Sequence, residues 1–146
     1  MSSRIYAKAA IQISKPIEVV FDSIVDPQKM SNYFIESGTG RLDGNKEIIW
    51  KLPEFQDTFL IKVTHIQKHD YISFDWNSIN VQIFLEKITP NQTVVRIKEG
   101  PFNHDSDSIT MSIGQTEGWS NFLASLKAYI EYGINLRKGA FDFMHS

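Results

Sequence analysis

The sequence contains no cysteine among its 146 residues. Disulfides, thiolate zinc sites, iron–sulfur clusters and a cysteine nucleophile are thereby excluded together. Positive charge is not in excess either: 15 Lys and Arg stand against 17 Asp and Glu, a formal net charge of −2. That balance removes any global basic field to hold a nucleic acid or an anionic membrane. No run approaches the ~18 apolar residues of a membrane-spanning helix. The start, Met1-Ser2-Ser3-Arg4-Ile5, enters alternating sequence with no apolar signal-peptide core. A cytoplasmic protein is expected, and the Asn91-Gln92-Thr93 sequon then reads as a turn. One residue class is well supplied: ten Phe, five Tyr and three Trp. These large, stiff side chains either fill a core or line a hole. A chain of this length forms one domain, 1–146, whose core needs no covalent staple.

Residues 4–14 place Ile5, Ala7, Ala9, Ile11 and Ile13 on one parity, with Tyr6, Lys8 and Gln12 between them. This alternation predicts a half-buried strand. Ser14 stands as an N-cap two residues before Pro16, and Ile17, Val20, Phe21 and Ile24 follow at helical spacing. Asp26-Pro27 breaks that helix and starts another through Met30, Tyr33 and Phe34. From residue 35 to 99 the period changes to two. Ile48, Trp50 and Leu52 share a face, as do Phe59, Ile61, Val63 and His65; Ile72, Phe74 and Trp76; Val81, Ile83 and Leu85; and Val95 and Ile97. Turn signals separate the runs, so an antiparallel meander with one wet face is expected.

Beyond Gly100-Pro101 the period is helical again. Trp119, Phe122, Leu123, Leu126, Tyr129 and Ile130 form one stripe, and Gly133 is a plausible C-cap. Gly114 and Gly118 favour a kinked or delayed helix start. The predicted architecture is α+β in the order β-α-α-β-β-β-β-β-β-α. A sheet with one apolar face must curl around the single long helix, which leaves space where strands bend away.

The segment Ile13-Ser14-Lys15-Pro16-Ile17-Glu18-Val19-Val20-Phe21 through Asp26-Pro27 resembles the opening of the START-like superfamily with the helix-grip fold. Tyr33 stands where many members carry Trp. Gly40-Arg41-Leu42-Asp43-Gly44 is similar to the family's Gly-containing turn. Gly118-Trp119 with Leu123, Leu126 and Tyr129-Ile130-Glu131 resembles the last helix of one branch. That branch is related to the C-terminal domain of the activator of the heat-shock protein 90 ATPase. The resemblance covers a core of about 5–133, leaving a tail over 134–146, and it implies a curved antiparallel sheet wrapped around the last helix. Its members include lipid and hormone carriers, polyketide cyclases and chaperone-associated domains, among which fold does not choose.

The leading candidate site is an apolar pocket between sheet and helix, formed by Trp50, Phe59, Ile61, Phe74, Trp76, Ile83, Trp119, Phe122, Leu123 and Leu126; the bland alternative is that they pack solid. His65, read as the only ionisable group on its strand's apolar parity, is placed to orient a polar ligand group or act as a base. The His65-x-x-x-His69 spacing does not make a metal site across a strand and turn. Gly38, Gly40 and Gly44 lack the features of a phosphate loop, and His104, Asp105 and Asp107 sit where a helix needs caps and negative charge. No nucleophile-elbow motif is present. In the tail, Phe141, Phe143 and Met144 either pack back on the domain or make a dimer contact. The expected function is to hold a small apolar or lipid-like molecule, with no cofactor and no metal. A chaperone-interaction module is the alternative, and a cyclase- or hydrolase-like enzyme comes last.

Overall fold

The structure is a computed structural model and describes residues 4–144. Met1–Ser3 of the expected leaderless start and His145–Ser146 of the tail lie outside the described residues. The elements are β1 (Ile5–Ile13), α1 (Ile17–Val25), α2 (Pro27–Met30), β2 (Ser37–Gly38), β3 (Glu47–Lys51), β4 (Thr58–Gln67), β5 (Tyr71–Trp76), β6 (Ile79–Thr89), β7 (Gln92–Phe102) and α3 (Ser106–Tyr132). A short 3-10 turn, Asp142–Met144, comes after them. The order is the predicted one. All seven strands form one antiparallel sheet in the order β1-β7-β6-β5-β4-β3-β2, so a single long crossing brings β1 beside the last strand.

Side-chain alternation sets which face is dry. Ile48 and Trp50, Ile61 and Val63, Ile72 and Phe74, Val81, Ile83 and Leu85, and Val95 and Ile97 are all buried, as the period-two reading requires. The outer face carries the exposed charge pair of Arg96 on β7 with Glu86 on β6 at 3.3 Å. On the inner face α3 lies against β1 and β7. Its 27 residues span ~40 Å at 1.5 Å per residue. Asp105 caps its start by accepting the Ser108 N–H at 2.8 Å, and Gly133 ends it in the left-handed region with φ 65°. Trp119, Phe122, Leu123 and Leu126 face the sheet. The helix runs through Gly114 and Gly118 without a late start, because Asp105 caps it a full turn and more before the first glycine.

Three details depart from the sequence reading. Ser14 does not cap α1: Pro16 is the capping position and makes no side-chain bond. The Ser14 N–H instead donates to Glu131 at 2.9 Å, and Lys127 donates to the Gln12 carbonyl at 2.9 Å, fastening the end of α3 to β1. Strand β7 continues past Gly100-Pro101 to Phe102, which pairs with Ile5 across a register shift. Most consequential is β4. Val63 pairs with Phe74, yet His65 pairs with Ser73, so one extra residue is inserted at Thr64. This bulge reverses the parity of the rest of the strand. His65 is therefore exposed, its ring 5.7 Å from Tyr71, and Ile66 takes the inward side opposite Ile72. The inward role expected of His65 is corrected accordingly.

Asp26 starts α2 by accepting the Gln28 N–H at 2.9 Å, and the turn after it buries Tyr33 and Phe34. The Tyr33 hydroxyl donates to the Ser23 carbonyl at 2.8 Å, tying this turn to α1. Burial pushes the phenol pKa well above its ordinary value, so the hydroxyl keeps its proton. Replacing Tyr33→Phe removes the donor while retaining the ring. A loss of about 0.5–1.5 kcal/mol in urea unfolding is expected; an unchanged midpoint and slope would show that this bond contributes nothing.

Candidate functional site

Only part of the sheet's dry face lies under α3. Toward β4 and β5 the face is flanked by the first half of the helix, by Phe34 from the turn after α2, and by the tail. Between them lies a cleft of about 580 Å³. Phe34, Phe59, Trp76 and Trp119 form its aromatic wall, Gly114 and Gly118 its helix side, and exposed Asp57, Asn77 and Glu117 its rim. Phe34, Trp76 and Trp119 stand as a triangle, with ring centroids 6.3, 6.2 and 6.0 Å apart. Phe59 adds an edge contact to Trp76 at 5.4 Å. A Cβ placed on Gly114 or Gly118 meets nothing within 4 Å.

Of the residues expected to line a pocket, Phe59, Trp76 and Trp119 do so. Trp50, Ile61, Phe74, Ile83, Phe122, Leu123 and Leu126 do not. They are at most 2 % exposed and pack into the solid core, with Trp50 held edge-on to Phe74 and Trp76 at 5.4 Å each. His65 lies on the opposite face. The expected lining is thus divided between a filled core under the centre of the sheet and an open cleft at its β4–β5 side.

Two polar groups escaped the sequence reading. Glu99 lies on the inward parity of β7, two residues beyond Ile97, and is only 2 % exposed. Its Oε1 accepts from Trp119 Nε1 at 2.7 Å and Gln115 Nε2 at 3.0 Å. Burial raises its carboxyl pKa, and these two bonds pull in the opposite direction without cancelling the shift. The signal was available: residues 93, 95, 97 and 99 share one face. Arg137 comes from the tail. Its guanidinium stacks over Phe34 at 4.8 Å and Phe141 at 4.7 Å and is ion-paired with Glu54. Its side chain is 10 % exposed and that of Glu54 6 %. Among the described residues Arg137 Nε and Nη1 have no hydrogen-bond partner; the aromatic faces above and below are their compensation. A second cavity of about 350 Å³ shares Phe34, Glu54, Arg137 and Phe141 with the cleft. The tail therefore folds back through Arg137 and Phe141, while Phe143 stays 77 % exposed.

No group of three metal-ligating side chains gathers among the described residues, and none of their helices is long and apolar enough to cross a membrane. A curved antiparallel sheet gripping a long last helix, with a cleft between them, defines a START-like helix-grip domain. Within that class, the chain belongs to the family described as Activator of Hsp90 ATPase homolog 1-like protein, whose model matches residues 14–131. No curated protein matches the sequence. Among solved structures, the protein SSP2350 from Staphylococcus saprophyticus is 28 % identical, with TM-score 0.81 over 91 % of this chain and 96 % of that one. The Aha1 dimer from Colwellia psychrerythraea shares the fold at 18 % identity and TM-score 0.77, covering 88 % of this chain and 98 % of that one. DynU16, a putative protein of the dynemicin biosynthetic locus, shares it at 17 % identity and TM-score 0.78 over 88 % of this chain and 48 % of that one.

The Glu99 shift has a definite sign. A carboxyl whose folded pKa is raised above its ordinary 4.5 binds its proton more tightly in the folded chain, so stability falls as pH rises through that window. Unfolding of the parent relative to Glu99→Gln should show this loss between the ordinary carboxyl range and the raised folded value, then flatten. A difference that rises or stays level across the window contradicts the assignment. For the buried pair, Glu54→Gln strands the Arg137 charge and should cost about 3–5 kcal/mol. The same change at exposed Glu86 should cost under about 1 kcal/mol. Equal losses in denaturant unfolding would show that the tail is not anchored there.

Proposed function

We propose that the protein binds a small, largely apolar molecule in the cleft between β4–β5 and the first half of α3, without transforming it. The observation that carries this reading is the combination of about 580 Å³ of space with an aromatic wall and two side-chain-free helix positions, Gly114 and Gly118. Ligand pockets are mostly apolar concavities with a few placed polar groups. Burial of apolar ligand surface there yields about 25 cal/mol per Å². Glu99, Gln115 and Asn121 supply the orienting polarity. That lining sets the proposed class of occupant, and the ligand-binding role is supported, in coarse terms, by membership of the family.

Gly118→Leu tests the location. The new side chain enters open space, so the fold is retained and the helix gains from loss of a glycine, an effect of up to about 1 kcal/mol. Binding of the neutral fluorescent probe N-phenyl-1-naphthylamine should weaken at least tenfold. Native mass spectrometry of the purified parent should show a stoichiometric small-molecule adduct that the variant lacks. Equal probe binding by a folded Gly118→Leu protein places the site elsewhere.

A second reading, a module that touches a chaperone ATPase, is favoured by one further observation. Ile109, Met111 and Ile113 on the first half of α3 are 39, 54 and 65 % exposed, and the family takes its description from an Hsp90 ATPase activator. Stimulation of such an ATPase by the parent and its loss in Ile113→Asp is the outcome expected of that reading.

A further inference from the structure

The cleft has a charge as well as a shape. Among the described residues that line it, Arg137 is the only Lys or Arg, and its charge is taken up by Glu54. Asp57, Glu99 and Glu117 remain, all carboxylates. Glu99 is the one set deep in the site. Both of its hydrogen bonds fall on Oε1, and no described residue donates to Oε2. The indole that donates to Oε1 belongs to Trp119, which meets Trp76 and Phe34 at 6.0 and 6.2 Å. A group held by the free oxygen of Glu99 is therefore beside an aromatic wall as well as a carboxylate. That oxygen is an open acceptor on a residue that lines the cleft. Indole and phenyl rings attract cations through their quadrupoles, the indole most strongly.

From this geometry, and resting on the binding role proposed above, we infer that the ligand is a cationic one: an aromatic or aliphatic body carrying a protonated amine, with the amine at Glu99 Oε2 and the apolar part against Trp76, Trp119 and Phe59. The amine supplies the donor that the carboxylate lacks, and its charge offsets the one that burial makes expensive. Asp57 and Glu117 at the rim add an attractive field for the same sign of charge. An anionic ligand meets the reverse on every count, since the Arg137 guanidinium is already stacked and ion-paired.

The test uses three probes of one shape and different charge: 1-naphthylmethylamine, 1-naphthylmethanol and 1-naphthoic acid, titrated at pH 7.5 by tryptophan fluorescence and calorimetry. The amine should bind on the order of tenfold more tightly than the alcohol, and the acid should bind weakest. In Glu99→Gln the preference for the amine over the alcohol should vanish. Asp57→Asn should trim amine affinity modestly and lose that effect in high salt. The order of the three probes on the parent protein decides the matter even if Glu99→Gln does not fold. Alcohol or acid binding as tightly as the amine overturns the cationic assignment and leaves the binding role standing. Binding of none of the three overturns both.

Discussion

One constraint governs the rest of the structure: a seven-stranded sheet with a single apolar face has only one long helix to cover it. The helix cannot lie over every strand. It takes the β1–β7 side, where Trp119, Phe122, Leu123 and Leu126 join Ile97 and Val95 in one buried cluster, and its end is fastened there by Lys127 and Glu131. The β3–β5 side must find other cover. It receives Phe34 from the turn after α2, which reaches Trp50 at 5.8 Å and Phe122 at 4.8 Å, and the returning tail with Arg137 and Phe141. These are small covers for a broad surface, and the cleft is the part they leave open.

The bond between Trp119 and Glu99 links the two halves of this arrangement. At 2.7 Å and out of solvent, it joins the middle of α3 to the far end of β7 and so fixes how deep the helix sits over the sheet. A carboxylate in that place is unfavourable unless donors surround it. Trp119 and Gln115 satisfy one oxygen, and no described residue donates to the second. A purely structural tie needs only one acceptor, and a neutral glutamine would serve it. The cationic ligand proposed above would give this carboxylate a partner of opposite sign.

Most of the fold was legible because it is governed by local periodicity. Period two over residues 35–99 and the helical stripe from Trp119 are both enforced by burial of one face. The candidate site was less legible for three separate physical reasons. Counting by twos from Phe59 runs His65 inward, and a single inserted residue at Thr64 turns it out; nothing in the side chains of that segment announces the bulge. Glu99 obeys the parity of Val95 and Ile97, but a carboxylate at the end of an apolar run reads as the strand leaving the core. Arg137 meets Glu54 across 83 positions of chain, a contact that no local pattern encodes. Trp50, Phe74, Trp119 and Phe122 are buried, yet periodicity reports only which face a ring is on. It does not say whether the facing surface touches it.

That distinction explains why two similar sets of inward aromatics do different things. Trp50 and Phe74 are buried edge to face at 5.4 Å, with Phe34 set against Trp50 at 5.8 Å. Trp76 lies two residues along β5 from Phe74, and Phe59 pairs with Trp50 across β3 and β4; both line the cleft whose helix side is Gly114 and Gly118. A Cβ at either glycine meets nothing within 4 Å, so the open volume on the helix side reflects these residues as well as the helix-grip architecture. The fold supplies a gap between a curved sheet and its helix. Whether the gap becomes core or binding site is decided position by position, and here two glycines keep it open while Glu99 gives it a sign.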